Sequence, residues 1–149
     1  DGERLWQAWF HPNKIAIQEN ELQESALEIL DLVDLYQHAH ETASSLSGGQ
    51  RKLLELARAL MGQPRMILLD EPSAGANPTL ARKLSEHIEM IRSKLGITFL
   101  LISHDMDIIE RICDKVIVMT SGHVLVEGTA NEVFSNSEVQ NAYLGSQYR

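Results

Sequence analysis

Two short apolar runs set what this chain can fold into. Met66-Ile67-Leu68-Leu69 ends on an acid, Asp70, and residues 97–102 are apolar throughout except for Thr98. Neither run alternates with polar residues, so each reads as a strand covered on both faces, as in a parallel sheet. Between them, Asn77-Pro78 has the form of an N-cap followed by a proline at the first helical position. Leu80, Leu84, Ile88, Ile91 and Leu95 then repeat at helical spacing as far as Gly96. Strand, helix and strand in this order make a βαβ unit, because parallel strands need a crossover. The fold class is therefore α/β.

The flanking residues extend this scheme. Leu5, Trp6, Trp9 and Phe10 have roughly helical spacing, and His11-Pro12-Asn13 is expected to break it. Leu22, Ala26, Ile29, Leu30 and Val33 predict a helix over residues 21–34, followed by a polar connection over 36–45. A second helix opens at Gly48-Gly49, buries Leu53, Leu54, Ala57, Leu60 and Met61, and stops at Gly62 and Pro64. After Ser103-His104 comes a short helix with Met106, Ile109 and Cys113 or Ile112 inward. Residues 116–119 and 124–127 read as a hairpin around Ser121-Gly122-His123. Thr129 with Glu132, and Ser137 with Gln140, match the capping-box pattern, so each should start a short helix.

Charge excludes one broad class of function. Lys and Arg number 13 against 21 Asp and Glu, a formal net charge of −8. A protein built to grip a phosphate backbone needs a basic surface, so nucleic acid is not an expected partner. The acid is concentrated in residues 1–45, with nine acidic and two basic groups, which marks that segment as unlike the rest. Cys113 is the single cysteine, so no intrachain disulfide can form. No apolar run approaches the ~20 residues of a membrane-spanning helix. Asp1-Gly2-Glu3-Arg4 has neither an initiator Met nor a signal pattern and reads as a cut inside a longer chain.

Four features carry chemistry. Leu46-Ser47-Gly48-Gly49-Gln50 opens a helix, where free N–H groups and two glycines suit the close approach of an anion. The same residues also suit a plain glycine turn with a serine cap. Asp70-Glu71 ends a buried strand, at the edge where ligands of open α/β sheets gather. One carboxylate there can hold Mg²⁺ through water, and the other can orient or deprotonate a water. Alone, the pair is also an acidic turn before Pro72. Ser73-Ala74-Gly75-Ala76-Asn77-Pro78 is a small-residue loop before a helix. His104 follows the second strand and would project toward the same edge as Asp70.

In this order and at this spacing, the four features resemble the ATPase subunits of ABC transporters, over nearly the whole chain and most closely over residues 46–128. Residues 46–50 resemble the signature motif, residues 67–70 with Glu71 the Walker B strand and catalytic glutamate, residues 73–78 the D-loop, and His104 the switch histidine. The resemblance implies a P-loop NTPase (RecA-like) core with an α-helical subdomain, and ATP and Mg²⁺ as cofactors. It implies that Asp70 binds Mg²⁺ through water, that Glu71 polarises the attacking water and that His104 contacts the γ-phosphate. Ser47, Gly48, Gly49 and Gln50 would cap ATP held by the opposite ATPase subunit of a head-to-tail dimer, with Asn77 of the D-loop beside it. Ala76 and Asn77 depart from the commonest D-loop, which has leucine and aspartate. The asparagine form, Glu127-Gly128-Thr129 and Asn141-Ala142-Tyr143-Leu144-Gly145 are most similar to branched-chain amino-acid importers. The ending is also similar to urea importers and lipopolysaccharide exporters. Membrane-spanning permease subunits would be the other partners, at the cytoplasmic face of the membrane.

The sequence contains no G-x-x-x-x-G-K-[ST]. The chain thus resembles the C-terminal portion of such an ATPase. Residues 1–62 would form most of the helical subdomain, 63–128 the C-terminal part of the core and 129–149 the C-terminal helices. DNA-repair ATPases share these motifs but carry coiled-coil heptads or basic surfaces, which this sequence lacks. A P-loop-less regulatory module is the remaining alternative. The loop's backbone N–H groups and lysine supply most phosphate contacts. Titrating MgATP into the 149-residue chain should therefore give no micromolar calorimetric isotherm. Such an isotherm would show that the phosphates are gripped by other residues.

Overall fold

The computed structural model describes residues 12–144. Leu5, Trp6, Trp9, Phe10, His11 and Gly145, on which the sequence placed expectations, lie outside the described residues. The elements are α1 (Pro12–Leu32), single 3₁₀ turns at Tyr36–His38 and Ala43–Ser45, α2 (Gly48–Leu60), β1 (Met66–Asp70) and α3 (Pro78–Leu95). There follow β2 (Thr98–Ile102), α4 (Met106–Ile112), β3 (Val116–Thr120), β4 (His123–Gly128), α5 (Ala130–Phe134) and α6 (Ser137–Leu144). The chain divides into two compact units, Asp1–Ile67 with Lys94–Phe99, and Leu68–Ser93 with Leu100–Arg149. The division falls within both strands of the βαβ unit.

In the first unit α1 packs on α2. Pro12 stands in the first turn of α1, where a proline removes no intrahelical hydrogen bond, and the helix begins well before the expected residue 21; the pattern expected to break at residues 11–13 lies outside the described residues. The helix ends in a Schellman motif. Asp34 takes a left-handed φ of 58°, and the N–H groups of Leu35 and Asp34 reach back to the carbonyls of Leu30 and Asp31. Val33 and Leu35, at that end, are buried. In α2, Leu53, Leu56, Ala57 and Leu60 face inward; Leu56 joins the expected set, while Leu54 and Met61 are half-buried. Beyond α2 the left-handed residue is Gln63, φ 47°, and not Gly62.

β1 and β2 form a two-stranded sheet. Thr98 N–H donates to Arg65 O and Glu71 N–H to Ile102 O, so low numbers meet low and high meet high: the strands are parallel, as the crossover demands. These bonds set the register Leu68 opposite Leu100 and Asp70 opposite Ile102. Cover on both faces was the expectation, and the described residues supply it on one. Leu68 is 68% exposed and Ile102 60%, with Leu100 exposed between them, while Ile67 and Ile97, on the alternate positions, are buried.

The second unit closes around the β3–β4 hairpin. Ser121 and Gly122, with φ of 48° and 79°, make the two-residue turn that matches strand twist. The register runs from Val116 opposite Gly128 to Thr120 opposite His123, with a bulge after Val118. Val116 and Val118 pack with Ala130, Val133 and Val139 of α5 and α6. Thr129 and Glu132 complete the expected capping box. Gly128 leaves room for it, because a Cβ there would sit 2.9 Å from Glu132 Oε2. At α6 the expected cap is shifted by one residue. Asn136 Oδ1, not Ser137, accepts from the Glu138 N–H. Arg92 of α3 ties down the end of α4 through Asp114 at 2.8 Å and the Ile112 carbonyl.

An exposed aliphatic row on an open sheet edge recruits other chains. The chain alone should self-associate, and Leu68→Lys with Leu100→Lys should shift it toward monomer in light scattering. A wild-type chain that stays monomeric at its solubility limit would show that the row is not an association surface.

Candidate functional site

Of the four features expected from the sequence, the first unit holds residues 46–50 and the second holds the other three. In the second unit, Glu71 is the residue after β1. Its N–H makes the last rung to Ile102, and its backbone then turns left-handed at φ 46°. A non-glycine residue in that region is strained by roughly 1–3 kcal/mol and persists where surrounding structure holds it. The turn sends Asp70 and Glu71 different ways. Asp70 stands on the exposed face with Leu68, and its carboxylate has no protein partner among the described residues. Glu71 Oε1 accepts a 2.8 Å hydrogen bond from His104 Nδ1. Its other oxygen, Oε2, is buried and has no hydrogen-bond partner among the described residues.

A buried acceptor without a donor costs free energy unless something outside the fold fills it. The hydrogen bond to Glu71, and then its charge, raise the pKa of His104 above the ordinary histidine value. With Nδ1 committed to Glu71, the outer ring nitrogen of this exposed histidine is left for a ligand. Between the strands, residues 73–76 form successive turns with Gly75 at φ 69°. Asn77 Oδ1 caps α3 by accepting from Leu80 N–H, as its place before Pro78 predicted, which leaves its amide N–H₂ outward.

In the first unit, Ser47 caps α2. Its Oγ accepts from Gln50 N–H and Gln50 Oε1 accepts from Ser47 N–H at 2.8 Å, a closed capping box. The hydroxyl keeps its hydrogen to donate. Gly48 is not required by the chain around it, since a Cβ would meet only Arg51 Nη2 at 4.0 Å and its φ is not positive. Arg51 Nη1 donates to Leu46 O. The sequence reading did not anticipate His38 and Glu41. Gln50 Nε2 lies 2.8 Å from His38 Nε2, and His38 Nδ1 lies 3.0 Å from Glu41 Oε1. Ser45 Oγ donates to Glu41 Oε2. A serine cap at Ser47 was expected from sequence; its reciprocal bond with Gln50 and the link to a histidine twelve residues upstream were not.

With this geometry in hand, comparison with known proteins is decisive. Residues 5–74 match the ABC transporter family. The chain is 40% identical over 127 residues to the high-affinity branched-chain amino acid transport ATP-binding protein BraF of Pseudomonas aeruginosa, covering 85% of this chain and 50% of that protein. It is 38% identical over 130 residues to the probable branched-chain amino acid transport ATP-binding protein LivG of Archaeoglobus fulgidus, covering 87% and 50%. Over most of its length the chain is similar to ABC transporter ATP-binding proteins. A crystal structure of the ADP conformation of an ATP-binding cassette of an ABC transporter superposes with a TM-score of 0.78 at 40% identity, covering 84% of this chain and 50% of that one. A nucleotide-free cassette gives 0.77 at 38%, covering 95% and 57%. The fold is therefore that of the ABC ATPase cassettes, and the chain spans about half the length of the curated relatives it matches.

The Glu71–His104 pair has a pH signature. Because the folded pKa of His104 is raised from 6.5, the pair's charge contribution to stability is complete below about pH 6.5 and is lost as pH rises through the folded value. An NMR titration should find His104 above the ordinary value in the native chain and near it in Glu71→Gln. An equal midpoint in both would remove the charged Glu71 carboxylate as the cause.

Proposed function

We propose that the protein is the ATP-hydrolysing subunit of an ABC transporter, coupling ATP hydrolysis to import of branched-chain amino acids. Glu71 carries the reading. It sits at the C-terminal end of a parallel strand with one oxygen on His104 and the other buried without a donor, the arrangement of a base waiting for a water. That oxygen would accept a hydrogen bond from the attacking water and draw off its proton as the water oxygen bonds to the γ-phosphorus and the bond from that phosphorus to the β-phosphate oxygen breaks, releasing ADP. Strain at Glu71 holds the carboxylate where the water must stand. His104 would meet the γ-phosphate with its outer nitrogen, and its raised pKa favours the charged form beside an anion.

Asp70 fits Mg²⁺, which takes few protein carboxylates and keeps several waters. Bound there, the metal would offset charge on the phosphates. Ser47, with its hydroxyl hydrogen and the helix N-terminus of Gly48 and Gly49, would cap the phosphate of ATP held by the opposite subunit. Gln50 would hold that loop closed, and Asn77 would line the junction with its amide. The openness around Gly48 supports this, since a position that its own chain leaves free suits an external partner. Permease subunits would complete the assembly at the cytoplasmic face of the membrane. No helix among the described residues is long and apolar enough to cross a membrane. The substrate rests on the names of the relatives, BraF and LivG.

In the assembled transporter, Glu71→Gln should reduce ATP turnover by about 10²–10⁴-fold, the span of a lost general base, with nucleotide still bound. Glutamine keeps the size and the hydrogen bond to His104 but cannot take the proton. Near-normal turnover in the variant would take Glu71 out of the mechanism.

A further inference from the structure

The loop that caps the phosphate is held by a directional relay that starts at a backbone group. Ser47 N–H is a donor and nothing else. It therefore fixes which end of the Gln50 amide faces it: Oε1, at 2.8 Å. The other end, Nε2, must then face His38 Nε2, also at 2.8 Å. An amide N–H₂ only donates, so His38 Nε2 has to carry a lone pair. The ring proton consequently sits on Nδ1 and is donated to Glu41 Oε1 at 3.0 Å. Glu41 is held in turn by Ser45 Oγ, and the hydrogen bonds from His38 and Ser45 lower its pKa. Gln37 Nε2 lies 3.5 Å from the same His38 nitrogen, whose single lone pair is taken by the shorter bond from Gln50. Each step has one consistent polarity, and reversing any of them sets two donors against each other.

We propose that His38 is a positioning residue for the Ser47 loop: by accepting from Gln50 it holds the amide in the one orientation that closes the capping box. His38 touches neither nucleotide nor metal and acts only through Gln50. The proposal deepens the phosphate-capping role of Ser47 and rests on it for its functional consequence. Loss of the lone pair frees the Gln50 amide to rotate, which opens the Ser47 N–H and loosens the first turn of α2.

The test compares two variants of nearly the same size. His38→Gln can present a carbonyl oxygen to Gln50, whereas His38→Met fills the space without a comparable acceptor. Hydrogen exchange at the Ser47 amide, read by NMR on the full chain, should quicken roughly fivefold in His38→Met, the factor that one net hydrogen bond carries. In His38→Gln it should stay within about twofold of wild type. ¹⁵N shifts of neutral His38 should report the Nδ1–H tautomer. Equal exchange in the two variants means that His38 merely packs, and an Nε2–H tautomer breaks the relay; either overturns the proposal. In the assembled transporter, turnover should fall in His38→Met and hold in His38→Gln. Ser47 exchange that responds as expected while turnover does not would support the relay and count against the phosphate-capping role of the loop.

Discussion

The parallel pairing of β1 and β2 is the constraint from which the candidate site at the strand ends follows. Glu71 and His104 are far apart in sequence, and no local preference could bring their side chains within 2.8 Å. What brings them together is a ladder that runs in register to its last rung, Glu71 N–H to Ile102 O. Glu71 stands on that rung and His104 two residues past Ile102, so the two candidate side chains occur where the strands leave the ladder. The α3 crossover is the covalent condition for this arrangement. Its cap at Asn77 and its left-handed stop at Gly96, φ 65°, fix where the helix begins and ends.

Much of this was legible in the sequence because it rests on local rules. Apolar runs, the Asn77-Pro78 start, the hairpin at Ser121-Gly122 and the Thr129–Glu132 box each depend on residues a few positions apart. Where expectation and structure part, the deciding partner is elsewhere. The helix expected over residues 21–34 is already under way at Pro12, because the polar residues 18–21 carry no apolar repeat of their own. Ser137 was preferred to Asn136 because both can cap and only backbone geometry selects one. Leu68 and Ile102 were expected to be covered on the strength of their apolar neighbours, yet cover belongs to what packs on the sheet, and an apolar run records only the demand for it.

The candidate site divides along the same line. Asp70, Glu71, His104, Ser47 and Asn77 could be named from motif order. That Glu71 has one satisfied and one orphaned oxygen could not, since it follows from a left-handed backbone and the burial around it. Nor could His38 be named. Twelve residues separate it from Gln50, and a histidine in a polar connection is ordinarily solvated. Its role follows from proton bookkeeping, which begins at a backbone N–H and ends at a carboxylate.

Two glycines show how a fold's needs separate from a ligand's. Gly128 is required from within: a Cβ would press at 2.9 Å on a carboxylate that Thr129 already holds through its N–H and its hydroxyl. Replacing it would set the capping box of α5 against its own strand. Gly48 has no such reason. Its φ suits any residue, and the nearest obstruction to a Cβ is the tip of Arg51 at 4.0 Å. Glycine there is not a demand of this fold, and it leaves the first-turn N–H groups, beside a serine whose hydroxyl hydrogen is still to be donated, open to approach from outside. The charge such an end attracts is negative.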